Sequence, residues 1–343
     1  MDLAFLTLAL VVALGLAFEF VNGFHDAANA IATVVATRVL SLRAAVIMAA
    51  TLNFVGALSG TAVATTVGRG LVDAHAATQA TVAVALLTAI LWDLATWRLG
   101  LPTSSSHALL FAVMGAAVAT SGPSVLIPQG IEKVFAGLAY SPTIGLVGGG
   151  LVMLAIFWIF RSWRPGQVSS LFGRLQLLSS AYMAFSHGGN DGQKTMGIVS
   201  LALFSYGALG PTFHIPLWVM IAAALAMGFG TMTGGWRIVK TMGLGIVHLQ
   251  PVHGFAAETA AGTVIEVATR LGVPISTTHA ISGAIMGVGL MRGAKRVHWA
   301  IAGNIVAAWV LTLPGCFLGG WLLMTTGIGA SHAVSLLAAL LAR

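Results

Sequence analysis

Charge is what this sequence has least of. Lysine, arginine, aspartate and glutamate make up 7% of its 343 residues, where a soluble globular chain carries about 25%. So few charges cannot cover a water-facing surface. With 58% hydrophobic residues and a mean hydropathy of +0.95, the chain is predicted to be solvated largely by lipid. Cysteine is nearly absent as well. The single Cys316 excludes an intramolecular disulfide and leaves no cysteine pair for a zinc or iron–sulfur site. It falls in the apolar run 298–326, where it reads as packing. The sequence has no low-complexity tail, no long charge run and no polar stretch large enough for a soluble domain. Its Met1-Asp2 start lacks the basic region of a secretory signal peptide, so residues 3–21 read as a retained first helix.

What is present is a succession of about ten to twelve apolar segments, each near the ~20 residues that a bilayer-spanning helix needs. The segments are continuous rather than alternating, which argues against a barrel. A helix also pairs every backbone N–H and C=O within one segment, as lipid demands. The fold class predicted is therefore all-α, a polytopic membrane protein. The 42 glycines suit close helix packing in a bilayer. The net charge of +7 is an orientation signal, and nucleic-acid binding is not expected. Its residues cluster in short loops, at Arg38 and Arg43, at Arg161, Arg164 and Arg174, and at Arg292, Lys295 and Arg296. Such loops mark the cytoplasmic face. With one helix before Arg38, the N-terminus is then outside.

The chain repeats itself. Arg98–Gly115 reads RLGLPTSSSHALLFAVMG and Arg270–Gly287 reads RLGVPISTTHAISGAIMG, identical at ten of eighteen positions. A weaker pair lies upstream, with Gly23 three residues before Asp26 and Gly188 three residues before Asp191. The order is the same in both halves, predicting repeats over 1–165 and 166–343 of one membrane domain, joined by a polar linker near 161–174 (RSWRPGQVSSLFGR). Duplicated halves with matching helix breaks mark secondary transporters. An odd number of crossings per half would invert the halves, an even number would leave them parallel, and the segment count decides neither.

Each motif carries its own chemistry. Asp26 lies between apolar residues 3–21 and 30–37, and a carboxylate at that depth costs about 2.5–3.5 kcal/mol on insertion scales. With Gly23 loosening the backbone and Asn29 offering an amide oxygen, it makes a hard-cation site or a proton carrier. Asp191 sits beside Asn190, with Lys194 in place of Asn29. Lys194 either pairs with Asp191 or contacts an anion, and we assign it to the anion. In the second pair of motifs, Pro102 precedes Thr103, Ser104, Ser105, Ser106 and His107, and Pro274 precedes Ile275, Ser276, Thr277, Thr278 and His279. Proline opens a helix without loss, the hydroxyls cap it, and the N-terminal N–H groups attract an oxyanion. Two such termini would coordinate a tetrahedral anion from two sides. His107 and His279 are expected to fix the loops. Asp93, Glu266 and Glu258 are further acids near the hydroxyl motifs, and Arg98 and Arg270 are equivalent repeat positions.

GFHDAANAIATVVATR (23–38), LPTSSSH (101–107), FSHGGNDGQK (185–194) and VPISTTH (273–279) together closely resemble the inorganic phosphate transporter family, nearest to its bacterial low-affinity permeases. The resemblance implies inverted repeats, re-entrant hairpins at the two hydroxyl motifs, external termini, a homodimer, and cation-coupled phosphate uptake across the cell inner membrane. It maps the essential paired acids to Asp26 and Asp191 and a glutamate before the second hairpin to Glu258. His25, where the family usually has Asn, and Gln193-Lys194, where many sodium-coupled members have Ala-Asn, look like the proton-coupled branch. That branch carries a substrate resembling a neutral metal–phosphate complex, with Mg2+ or another divalent ion. Sodium coupling and sulfate are the alternatives within the family. An intramembrane hydrolase would need one asymmetric triad and has no GxSxG elbow here. An anion channel would conduct without coupling. No enzymatic activity is expected.

Overall fold

The computed structural model describes residues 3–73 and 77–327; residues 328–343, the end of the expected second repeat, lie outside the described residues, as do Met1 and Asp2. The described residues are almost wholly helical. The first series is α1 (Leu3–His25), α2 (Ala27–Ala36), α3 (Leu42–Ala57), α4 (Ala62–Gly70), α5 (Gln79–Leu99), α6 (Ser105–Ser121) and α7 (Pro128–Ile159). The second is α8 (Pro165–Tyr206), α9 (Leu217–Thr233), α10 (Trp236–Lys240), α11 (Pro251–Arg270), α12 (Thr277–Met291) and α13 (Trp299–Thr325). A π-helical turn, Thr241–Gly245, extends α10. A 3-10 turn and an isolated antiparallel bridge precede the last helix of each series, Val72 with Leu126 and Val247 with Val297.

By length and apolarity, four spans can cross a membrane: α1 with α2, then α5, α7 and α13. The bent pairs α3–α4 (66°) and α9–α10 (63°) raise the number to six. The remaining apolar segments of the sequence are broken or shorter helices, or carry polar motifs. Breaks are tolerated at membrane depth only where protein covers the freed backbone groups, and the breaks here are covered. The side chain of Gln193, on α8, accepts from Val63 N at 2.9 Å and so caps α4.

Most of the polar stretch 161–174 is helical, since α8 begins at Pro165. Only a short turn after Ile159 separates the series, because Gln167 Oε1 accepts from Arg164 N at 3.1 Å and Pro165 starts α8 at its first turn.

Helix α1, which leads into Asp26, and helix α8, which carries Asp191, run antiparallel. Gly15 on α1 packs on Val199 of α8, Glu19 accepts from Thr195, and Asp26 lies beside His187 and Asp191. Other contacts are exchanged between the series. Pro102 O accepts from Trp309 Nε1 at 3.0 Å, so α6 leans on α13, while α12 leans on α7 through Gly145 against Ala280 and Gly149 against Ala284.

Candidate functional site

Both hydroxyl motifs form the corner of a helical hairpin. The corner turns on Gly100 (φ 70°) between α5 and α6, and on Gly272 (φ 66°) between α11 and α12. Only glycine takes that left-handed conformation freely. An extended segment follows, and Ser104 or Ser276 then caps the new helix, its Oγ accepting from His107 N or His279 N at 3.2 Å in each case. The N–H groups of Ser105, Ser106, Thr277 and Thr278 belong to the first turn, where no intrahelical acceptor exists. The two first turns meet inside the protein: the tilted rings of His107 and His279 have centroids 4.5 Å apart, and the centroid of His279 lies 3.9 Å from that of Trp309.

The acids stand between these turns. Asp26 sits in the one-residue interruption between α1 and α2. His25 Nδ1 is 2.6 Å from Asp26 Oδ1, Ser105 Oγ donates to the same oxygen at 3.5 Å, and Thr278 Oγ1 donates to Oδ2 at 3.3 Å. Asp191, by contrast, lies within the continuous helix α8. Thr277 Oγ1 donates to its Oδ2 at 2.7 Å, where His187 Nε2 is also 3.1 Å away. Lys194 Nζ pairs with its Oδ1. Each acid is thus held by the hydroxyl residues of the second hairpin, and Asp26 reaches the first as well. Asp26, His187 and Asp191 present ligand atoms within 4.8 Å of one another, a set of two carboxylates and one imidazole that suits a divalent cation.

The other predicted residues divide between this centre and its supports. Lys194 donates to Asp191, to Ser106 Oγ at 2.5 Å and to Ile275 O at 2.7 Å, which engages all three N–H groups of its ammonium. The assignment of Lys194 to an anion therefore finds no free donor in this arrangement. Asn29 Nδ2 donates to Thr277 and Thr278 at 3.1 and 3.0 Å. Thr103 turns away from the acids and donates to Thr96 at 2.9 Å. Asn190 grips the second hairpin, donating to Thr269 at 2.9 Å and accepting from Ile275 N at 3.4 Å. Its counterpart His25 reaches Thr96 at 3.1 Å and Thr103 at 3.4 Å, tying α1 to the first hairpin in the same way. Glu258 occupies its own buried pocket, accepting from Thr33 at 2.5 Å, Ser179 at 2.5 Å and Gln176 at 3.1 Å. Asp93 is fully buried, whereas Glu266 pairs with exposed Arg270 at 2.8 Å, away from the centre.

Sequence reasoning gave no role to Glu19, although it stands in an apolar run where an acid is informative by itself. It is fully buried and accepts from Thr195, next to Lys194. Thr33, Gln176 and Ser179 gave no signal, because hydroxyl and amide residues are common in such helices. Asn53, whose Oδ1 lies 3.1 Å from His187 Nδ1, is another supporting residue that only the packing reveals.

Comparison with known proteins shows the family of the chain. Residues 22–165 and 161–320 match the phosphate transporter family. A "probable low-affinity inorganic phosphate transporter" of Rhizobium meliloti (strain 1021) is 47% identical over 317 residues, covering 92% of this chain and 95% of the relative. A protein of the same description from Bacillus subtilis (strain 168) is 42% identical over 316 residues, with the same coverage. Among solved structures, one described as the sodium-dependent phosphate transporter superposes with a TM-score of 0.83 at 24% identity, covering 93% of this chain and 98% of the other.

Proposed function

Because the chain belongs to the phosphate transporter family, we propose that it is a secondary symporter that takes up inorganic phosphate by alternating access, with protons as the coupling ion and a divalent metal–phosphate complex as cargo. It is a membrane transporter and not an enzyme, and its relatives above are bacterial. The observation that carries the reading is the meeting of two helix N-termini, at Ser105–Ser106 and Thr277–Thr278, around Asp26 and Asp191. Free N–H groups and hydroxyls recognise a tetrahedral oxyanion, and the carboxylates hold the cations that neutralise it for transit. Asp26, Asp191 and His187 would hold the metal of the complex. Thr103, Ser104 and Ser276 hold the shape of the turns and Asn190 the second hairpin. Asn29 and Glu258 complete the coupling path.

The antiparallel run of α1 against α8 supports inverted repeats about an axis in the membrane plane. Basic loops at Arg38, Arg161 and Arg292 support an outside N-terminus in the cell inner membrane. The assembly we propose is a homodimer.

Sodium coupling is the second reading. It draws on the fold neighbour, whose description names sodium. Labelled-phosphate uptake into proteoliposomes under an imposed proton or sodium gradient, each with and without magnesium, separates the two. The expected result is uptake driven by protons, enhanced by magnesium and lost in Asp26→Asn. Sodium-driven uptake would replace the coupling ion, and sulfate accumulating in place of phosphate would replace the substrate.

A further inference from the structure

We propose that the ammonium of Lys194 is a tethered coupling cation: it fills one of two equivalent oxygen cages at the centre of the protein and leaves the other, at Asp26 and Asn29, to an exchangeable cation. The inference rests on the symport reading above and deepens it.

The two cages are related residue by residue. Asp191 and Lys194 stand three apart on α8, as Asp26 and Asn29 stand three apart at the start of α2. Ser106 and Thr278 occupy the same position of the two hydroxyl motifs, and so do Thr103 and Ile275. Lys194 Nζ is surrounded by a carboxylate oxygen of Asp191, a hydroxyl of the first hairpin (Ser106, 2.5 Å) and a backbone carbonyl of the second hairpin (Ile275, 2.7 Å). Carboxylate, hydroxyl and carbonyl together are the donor set of a hard-cation site. The ligand in their midst is a primary ammonium, a compact point charge with no acceptor to offer.

On the opposite side one of these contacts recurs with an amide in place of the amine, the one to the hairpin hydroxyl. Asn29 reaches Thr278, the counterpart of Ser106, at 3.0 Å, and Thr278 reaches Asp26 Oδ2 at 3.3 Å. Among the described residues no lysine or arginine fills this cage, and His25 lies on the other carboxylate oxygen, Asp26 Oδ1. Asn29 Oδ1 is buried with no hydrogen-bond partner, an acceptor held ready at the one cage that lacks a resident charge. Such an orphan is costly in a protein interior unless a cation or proton donor visits it. The asymmetry in resident charge, Lys194 against Asn29, sets the count of exchangeable cations at these two cages to one.

The test is to make the cages alike. Sodium is the probe, measured as radioactive sodium bound per chain of purified protein, and as melting temperature in sodium chloride against choline chloride. Lys194→Asn and Lys194→Met are each expected to bind one sodium ion per chain more than wild type and to melt higher in sodium than in choline. Lys194→Arg keeps a fixed charge and gains no sodium. Folded Lys194→Asn and Lys194→Met with the wild-type sodium count would overturn the proposal, and so would a sodium ion gained by Lys194→Arg. A variant unfolded in choline and restored by sodium supports it; variants unfolded in both salts count against it, because sodium would then fail to stand in for the ammonium. The difference between variant and wild type is read whatever wild type itself binds. Sodium-driven uptake by wild type would remove the proton reading without touching this comparison.

Discussion

Asp26 and Asp191 share a motif but not an environment, and the difference predicts different losses. Asp191 is paired with Lys194, and a buried pair broken by removal of one member costs about 3–5 kcal/mol, because the other charge is left uncompensated. Asp26 has His25 and hydroxyl donors but no fixed cation. Asp191→Asn is therefore expected to lower the melting temperature sharply as well as abolish uptake. Asp26→Asn should abolish gradient-driven uptake while melting within a few degrees of wild type. Thermal unfolding of both purified variants, beside phosphate uptake in proteoliposomes, checks the pair. The two cap residues make a gentler case. Ser104→Ala and Ser276→Ala each remove an acceptor for one N–H, worth about 1 kcal/mol. Both variants should fold, with lowered stability and weakened phosphate affinity, whereas Ser106→Ala also frees one N–H of Lys194.

The hairpins were the most legible elements, because proline, a run of small hydroxyls and a glycine before them leave few other local structures. Helix α8 was not legible. Gly188, Gly189 and Gly192 around Asp191 invite a break by analogy with Asp26, yet the helix runs through them. The cause is tertiary. Gly188 lies against the backbone of Asn53 on α3, so its missing side chain makes room for a crossing helix and not for an unwound turn. The same substitution at two sites of this one helix separates the roles. Gly166, in the first turn, faces nothing within 4 Å, and Gly166→Ala should stabilise by about 0.5–1 kcal/mol through helix propensity. Gly188→Ala places a Cβ into the Asn53 carbonyl and should destabilise, with loss of uptake. Melting temperatures moving in opposite directions would establish the contrast. A Gly188→Ala that melts as wild type would show that α3 and α8 can part without cost.

Topology is where the partial readings meet. Helix α8 has 42 residues and spans about 63 Å at 1.5 Å per residue, twice the ~30 Å of hydrocarbon, with basic Arg164 before its first turn and Gly207 after its last. It lies antiparallel to α1, the helix that ends just before the equivalent acid, Asp26. If the first elements of two repeats run in opposite directions, every later pair must as well, and equivalent loop positions emerge on opposite faces. Ser121 ends α6, and Gly293 stands 172 residues later at the exposed loop after α12, the same spacing that separates Arg98 from Arg270. Inverted halves place Ser121 outside and Gly293, beside Arg292, Lys295 and Arg296, on the cytoplasmic face. The native Cys316 is buried and gives no background. In intact cells, a membrane-impermeant thiol reagent should label Ser121→Cys and spare Gly293→Cys, which becomes reactive once the membrane is opened. Labelling of both from the same side would make the halves parallel. The meeting of two hairpin tips would then have to arise without the in-plane axis, and the two cages around Asp26 and Asp191 could no longer exchange access by the same motion.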